Sequence, residues 1–174
     1  MFKIIDQKNR AIFECDINHI FAEKAHPLPT NNSVYDHDHS IYITYQDPHT
    51  GLRMGARLNP MTTKNLTSDT LGSYVRGFEA QGIWECSLMV FHLKDSHTIQ
   101  DGQEAVHRLH FKCYEGFREA VITACVRFQI GTLLFLAPPE EIEKLQLFGE
   151  MRFKPKLALE DNLCIALFQN PHRH

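Results

Sequence analysis

Ile83-Trp84-Glu85-Cys86-Ser87-Leu88-Met89-Val90-Phe91 is a nearly unbroken apolar run with one carboxylate and one hydroxyl set into it. It reads as a buried strand, the centre of a sheet. Side chains alternate along a strand, so Glu85 and Ser87 point to the same side. An unpaired carboxylate in a core is costly. Glu85 therefore marks a site, or else it lies on a solvated sheet face or pairs with a core arginine.

Working outward, the segment before this strand reads as an antiparallel hairpin. Strands at 40–46 and 52–59 flank the turn-former cluster Asp47-Pro48-His49-Thr50-Gly51. A short helix around 66–76 leads through Gly77 and Gly82 into the central strand. Earlier still, residues 2–5 fit a short strand and 12–24 a helix, followed by a break at His26-Pro27-Leu28-Pro29-Thr30-Asn31-Asn32-Ser33. Downstream, Val106, Leu109, Cys113, Phe117, Ala120 and Ala124 recur at helical spacing within 103–128. Residues 130–137 form a second buried-type strand. Pro138-Pro139-Glu140-Glu141 opens a helix with proline and acids in its first turn, and Gly149 ends it. A last strand at 162–168 closes an α/β (α+β) chain: a mixed sheet with an antiparallel N-terminal hairpin and a β-α-β-α-β C-terminal half.

With 174 residues, 43% of them hydrophobic, residues 1–174 suit a single domain with a full core. A net charge of −3 and the lack of a long basic run give no reason to invoke nucleic acid. No apolar run reaches the roughly 20 residues that cross a bilayer, and Asp6 interrupts any signal-like start. Cys15, Cys86, Cys113, Cys125 and Cys164 are odd in number and contain no CxxC pair. Reduced thiols in the cytoplasm are the expectation, rather than disulfides or structural zinc.

Four stretches carry a resemblance: Tyr35-Asp36 ahead of the strand with Tyr42; Gly55-Ala56-Arg57-Leu58-Asn59-Pro60-Met61-Thr62; the segment from Asn65 to Leu71; and Trp84-Glu85-Cys86-Ser87. In order and spacing they resemble blocks of the acyl-homoserine-lactone synthases, the autoinducer synthases of bacterial quorum sensing. That family's fold is related to the GNAT acyltransferases. The resemblance spans roughly residues 31–168 and implies a GNAT-like twisted sheet with helices on both faces. It implies transfer of an acyl group from acyl carrier protein to the amine of S-adenosylmethionine, with no tightly bound cofactor. Where the family has an arginine after its Trp-Glu-x-Ser, this chain has Leu88; where it has an acidic pair, this chain has Asn31 and Ser33.

On that reading Glu85 is the base or substrate anchor, since the attacking amine must lose a proton. Ser87 contacts the acyl group, Asp36 attracts the cationic substrate, and Arg57 pairs with a carboxylate of the substrate or of Glu85. A structural ion pair is the competing role for Arg57. The alternative for the whole chain is a family member that binds a ligand or partner without turnover. Ordinary acetyl-CoA binding is disfavoured, because the segment 94–103 has one glycine and no phosphate-cradling pattern.

Other clusters carry less chemistry. Asp36-His37-Asp38-His39 alternates in direction, and Glu104, His107 and His110 lack an HExxH arrangement, so neither is expected to bind metal. Cys86 faces away from Glu85 and reads as core, even with His92 nearby. Pro171-His172-Arg173-His174 reads as a solvated tail. Arg152, Lys154 and Lys156 form a small basic cluster, either a solvated face or a surface that steers an acidic carrier protein.

Overall fold

The computed structural model describes residues 2–13, 15, 35–46, 53–72, 82–92, 102–158 and 163–172. Its elements are β1 (Lys3–Ile5), β2 (Ile41–Gln46), β3 (Arg53–Pro60), α1 (Leu66–Leu71), β4 (Ile83–His92), α2 (Gly102–Arg127), β5 (Thr132–Ala137), α3 (Pro139–Leu147), β6 (Phe153–Ala158) and β7 (Cys164–Gln169). Among the described residues the strands form one sheet in the order β1-β2-β3-β4-β5-β7-β6. Only β4 and β5 are parallel, as the helical crossover α2 between them requires. Every other neighbouring pair is antiparallel.

One strand, β6, is absent from the sequence expectation. Its Lys154, Pro155 and Lys156 interrupt the apolar pattern that signals a strand. It lies at the sheet edge, where a proline removes no needed ladder donor and lysines discourage pairing with another chain. Because β6 turns the chain back, β7 runs antiparallel to β5, from Thr132↔Gln169 to Ala137↔Cys164. Of the helix expected at 12–24, the described residues include only a short 3-10 turn at Arg10–Phe13 and the single residue Cys15. The remainder lies outside the described residues, as do the break at 26–33 and the segment 94–101.

Alternation sorts the sheet into two unlike faces. One face carries Ile41, Ile43, Met54, Ala56, Leu58, Cys86, Leu133 and Phe135, and α2 and α3 pack into the same cluster through Phe117, Val121, Ala124, Ile142 and Leu145. Each fully buried Phe or Leu here is worth roughly 1.5–3 kcal/mol. The other face buries Tyr42, Arg57, Asn59, Glu85 and Ser87, beside a small cluster of Tyr35, Met61, Leu134, Leu136 and Ile165. Helix α1 packs near β4 on this side: its Thr67 N–H bonds to Glu85.

Two features shape the centre of the sheet. Gly55 faces Val90 while Arg57 faces Ser87, so β4 uses one residue more than β3 and bulges at Leu88–Met89. Pairing of β4 with β5 runs from Ile83↔Thr132 to Cys86↔Phe135 and stops there. The two parallel strands therefore part at Ser87, where the bulge begins to bend β4. Their starts are clamped by Gly82, at a φ of 82°. Its carbonyl accepts from Gly131 N at 2.8 Å and Thr132 N at 3.1 Å.

Candidate functional site

The register Tyr42↔Arg57, Arg57↔Ser87 and Asn59↔Glu85 sets these side chains across three adjacent strands on one face. They join into a continuous hydrogen-bonded row. Tyr42 Oη donates to Asp36 Oδ1. Arg57 reaches Asp36 Oδ1 through Nη1 at 3.2 Å and Ser87 Oγ through Nη2 at 3.4 Å. Ser87 Oγ then donates to Glu85 Oε1 at 2.9 Å. Asn59 Nδ2 donates to the same oxygen at 3.2 Å, and Thr67 N donates to Glu85 Oε2 at 2.8 Å. Asp36, Arg57, Ser87 and Glu85, the four residues singled out from the sequence, thus share one network.

Residues that the sequence did not single out complete it. Asn59 is oriented by donating to the Tyr35 carbonyl at 2.9 Å and accepting from Ser40 Oγ at 2.6 Å. Helix α1 is capped by Asn65, whose side chain accepts from Ser68 N at 2.8 Å, and this presents Thr67 N–H to Glu85. Arg10 lies 3.5 Å from Asp36 Oδ2, with its guanidinium carbon 5.4 Å from the Tyr42 ring centre. A polar residue at every second position, Tyr42 and Thr44 in β2 and Arg57 and Asn59 in β3, was the available signal for part of this shell. Nothing local marks Arg10 or Thr67, which come from distant segments.

Burial sets the electrostatics. Arg57, Asn59, Thr67, Glu85 and Ser87 are all 0% exposed, whereas the side chain of Asp36 is 29% exposed and that of Arg10 34%. The row therefore meets solvent at its Asp36 end. Charges this deep persist only when paired and hydrogen-bonded, and Arg57 stands between two carboxylates. Burial first, then the bond to Asp36, pushes the Tyr42 hydroxyl well above its ordinary value, so it stays a donor. Burial, followed by a hydrogen bond to Asp69, raises Tyr35 as well.

A base or substrate anchor, the role the resemblance implies for Glu85, calls for an opening beside its carboxylate. The strands do part beside it, yet Glu85 is sealed, because Ser87, Asn59 and Thr67 N–H occupy its oxygens.

The remaining clusters resolve differently. His37 turns its Nε2 onto the Lys64 carbonyl while Asp36 turns into the row, and Asp38 and His39 are exposed. Among the described residues no group of three His, Cys, Asp or Glu side chains converges as a metal site would. The side chains of Glu104, His107 and His92 lie outside the described residues, and His110 packs edge-on to Phe148. Cys86 is buried in the apolar face, with burial and then the charge of Glu85 pushing its thiol far above the ordinary range. Arg152 and Lys154 sit on a cavity of about 510 Å³ with Arg118 and Glu150, and Arg118 is held by Glu119 and Glu150. No helix among the described residues is long and apolar enough to cross a membrane.

No family model and no curated protein matches the sequence. Solved structures do match. The chain is similar to BjaI, a CoA-dependent acyl-homoserine lactone synthase solved with SAM and isopentyl-CoA, at 18% identity over 99% of this chain and 84% of that one, with a TM-score of 0.69. It is similar to MesI, another CoA-dependent acyl-homoserine lactone synthase, at 15% identity over 99% and 90% of the two chains, TM-score 0.62. The AHL synthase LasI matches at 14% identity over 96% and 87%, TM-score 0.56. With the seven described strands, their order and the parting of β4 from β5 in view, the fold of this chain is that of the acyl-homoserine lactone synthases.

Proposed function

We propose that this chain is an N-acyltransferase of the acyl-homoserine lactone synthase type, one domain over residues 1–174 that works in the cytoplasm. It moves an acyl group from a thioester to the amine of S-adenosylmethionine or a related amino compound. The observation that carries this reading is the buried row Asp36–Arg57–Ser87–Glu85, lying where β4 leaves β5 in a fold of that kind. The amine nitrogen attacks the thioester carbonyl, the carbon–sulfur bond breaks, and the thiol leaves. Glu85 takes the proton that the amine gives up. For S-adenosylmethionine, attack by its carboxylate on the carbon attached to sulfur then closes the lactone and releases methylthioadenosine.

Each residue has a role in that sequence. Asp36, the exposed end of the row, draws in the cationic substrate. Arg57 holds Asp36 and Ser87 in place and stands ready for the substrate carboxylate. Ser87, at the parting of the strands, lies against the acyl group. Because Glu85 is sealed, the amine reaches it by replacing the Thr67 N–H on Oε2, a small shift of α1 that keeps Thr67 beside the carboxylate. S-adenosylmethionine acts as substrate, and no tightly held cofactor is part of the reading. BjaI and MesI are described as CoA-dependent, which puts acyl-CoA beside acyl carrier protein as the donor.

A second reading has its own observation. Glu85 is fully enclosed, and Leu88, Asn31 and Ser33 stand where the resembling family carries charge. A chain so altered binds an amino ligand or partner without turnover. One assay separates the two. Purified protein is mixed with S-adenosylmethionine and either acyl-CoA or acyl carrier thioesters of several chain lengths, and free thiol and methylthioadenosine are followed together. Both products support the synthase, and thiol alone indicates a plain acyltransferase. Neither product, with every donor, leaves the binding protein.

A further inference from the structure

Thr67 is fully buried, and its Oγ1 has no hydrogen-bond partner among the described residues. A helical threonine ordinarily returns its hydroxyl to a carbonyl three or four residues earlier. Here both of those carbonyls are engaged: Thr63 O by Asn65 Nδ2 at 2.7 Å, and Lys64 O by His37 Nε2. The same residue sends its backbone N–H to Glu85 Oε2 at 2.8 Å, so the idle hydroxyl is held close to that carboxylate. Valine would fill the same space with no polar atom to bury, and on packing grounds it is the better residue.

We infer that Thr67 is a ligand contact whose hydroxyl accepts an N–H from the amino nitrogen of the substrate beside Glu85. A carboxylate and a hydroxyl side by side make a pair of acceptors suited to an N–H donor. The two are not equivalent. A second carboxylate would hold the nitrogen as ammonium, whereas a neutral hydroxyl orients it and leaves Glu85 alone to take the proton. The inference rests on the acyltransfer reading and adds a residue that determines how the amine is oriented.

The test uses the full chain and the variants Thr67→Val, Thr67→Ala and Thr67→Ser, with S-adenosylmethionine as the probe. Melting temperature without ligand, Kd by calorimetry, and kcat and KM for S-adenosylmethionine are measured. The expected result is that Thr67→Val melts at or above the wild-type temperature while its Kd and KM rise about tenfold, the scale of one lost hydrogen bond. Thr67→Ala shows the same loss of affinity if valine disturbs the fold, and Thr67→Ser restores it. Wild-type affinity and turnover in both hydroxyl-free variants would overturn the inference and leave the acyltransfer reading intact. A wild-type chain that neither binds nor consumes S-adenosylmethionine would instead remove that reading, and the inference with it.

Discussion

Glu85 accepts from Ser87 and Asn59 on one oxygen and from Thr67 N on the other, so these three partners are all donors. In Glu85→Gln one oxygen becomes an NH2, and whichever way it faces it meets a donor. The expected cost is about 1–3 kcal/mol, read from urea melts, with thiol release abolished; a variant as active as wild type would remove Glu85 from the mechanism. Arg57 is the buried cation between Asp36 and the Ser87–Glu85 pair. Removing its charge in Arg57→Met takes the cation from the buried Ser87–Glu85 end of the row, while Arg10 still faces Asp36, and is expected to cost about 3–5 kcal/mol. An unchanged urea midpoint would show that the pairing contributes nothing. At this scale the sequence was informative, because alternation alone puts Glu85 and Ser87 on one side. It was silent on Asn59 and Thr67, whose partners are fixed by register and by the placement of α1.

Among the elements, α1 couples stability to chemistry. It spans only Leu66–Leu71, too short to hold itself together in water. Asn65 compensates by capping Ser68 N and by donating to Met61 O and Thr63 O. Asn65→Ala is expected to cost about 1 kcal/mol and, by loosening the Thr67 N–H from Glu85, to change the KM for the amine substrate. A loss of stability with unaltered kinetics would show that α1 does not govern access. The central strand was legible because its apolar run admits few other readings, and α2 because its threes and fours are regular. β6 was not legible: Lys154-Pro155-Lys156 looks like loop, and only an edge position makes such a strand workable.

For the whole molecule, burial predicts an alkaline limit. Cys125 is pushed up to about 12 from an ordinary value of 9.0 by burial. Cys86, Tyr42 and Tyr114 are also raised, burial being the largest cause in each. Above about pH 9 for the two cysteines and about pH 10 for the two tyrosines the unfolded chain loses these protons while the folded chain keeps them, so stability falls as pH rises, by about 1.4 kcal/mol per unit for each group once past its unfolded value. The contribution is complete below the unfolded values and is lost through the folded ones. Urea midpoints between about pH 7 and 11 check this, and a flat profile above pH 9 would contradict it. By itself the sequence determined the α/β class, the hairpin, the central strand and the shared side of Glu85 and Ser87, because periodicity is a local fact about the chain; Asp36 and Arg57 were picked out by the resemblance of their stretches. Only the tertiary structure decided that these four bond in one line, that Glu85 is enclosed, and that β7 returns antiparallel beside an edge strand. Strand register and the packing of α1 depend on contacts between residues far apart in sequence, and no local pattern encodes them.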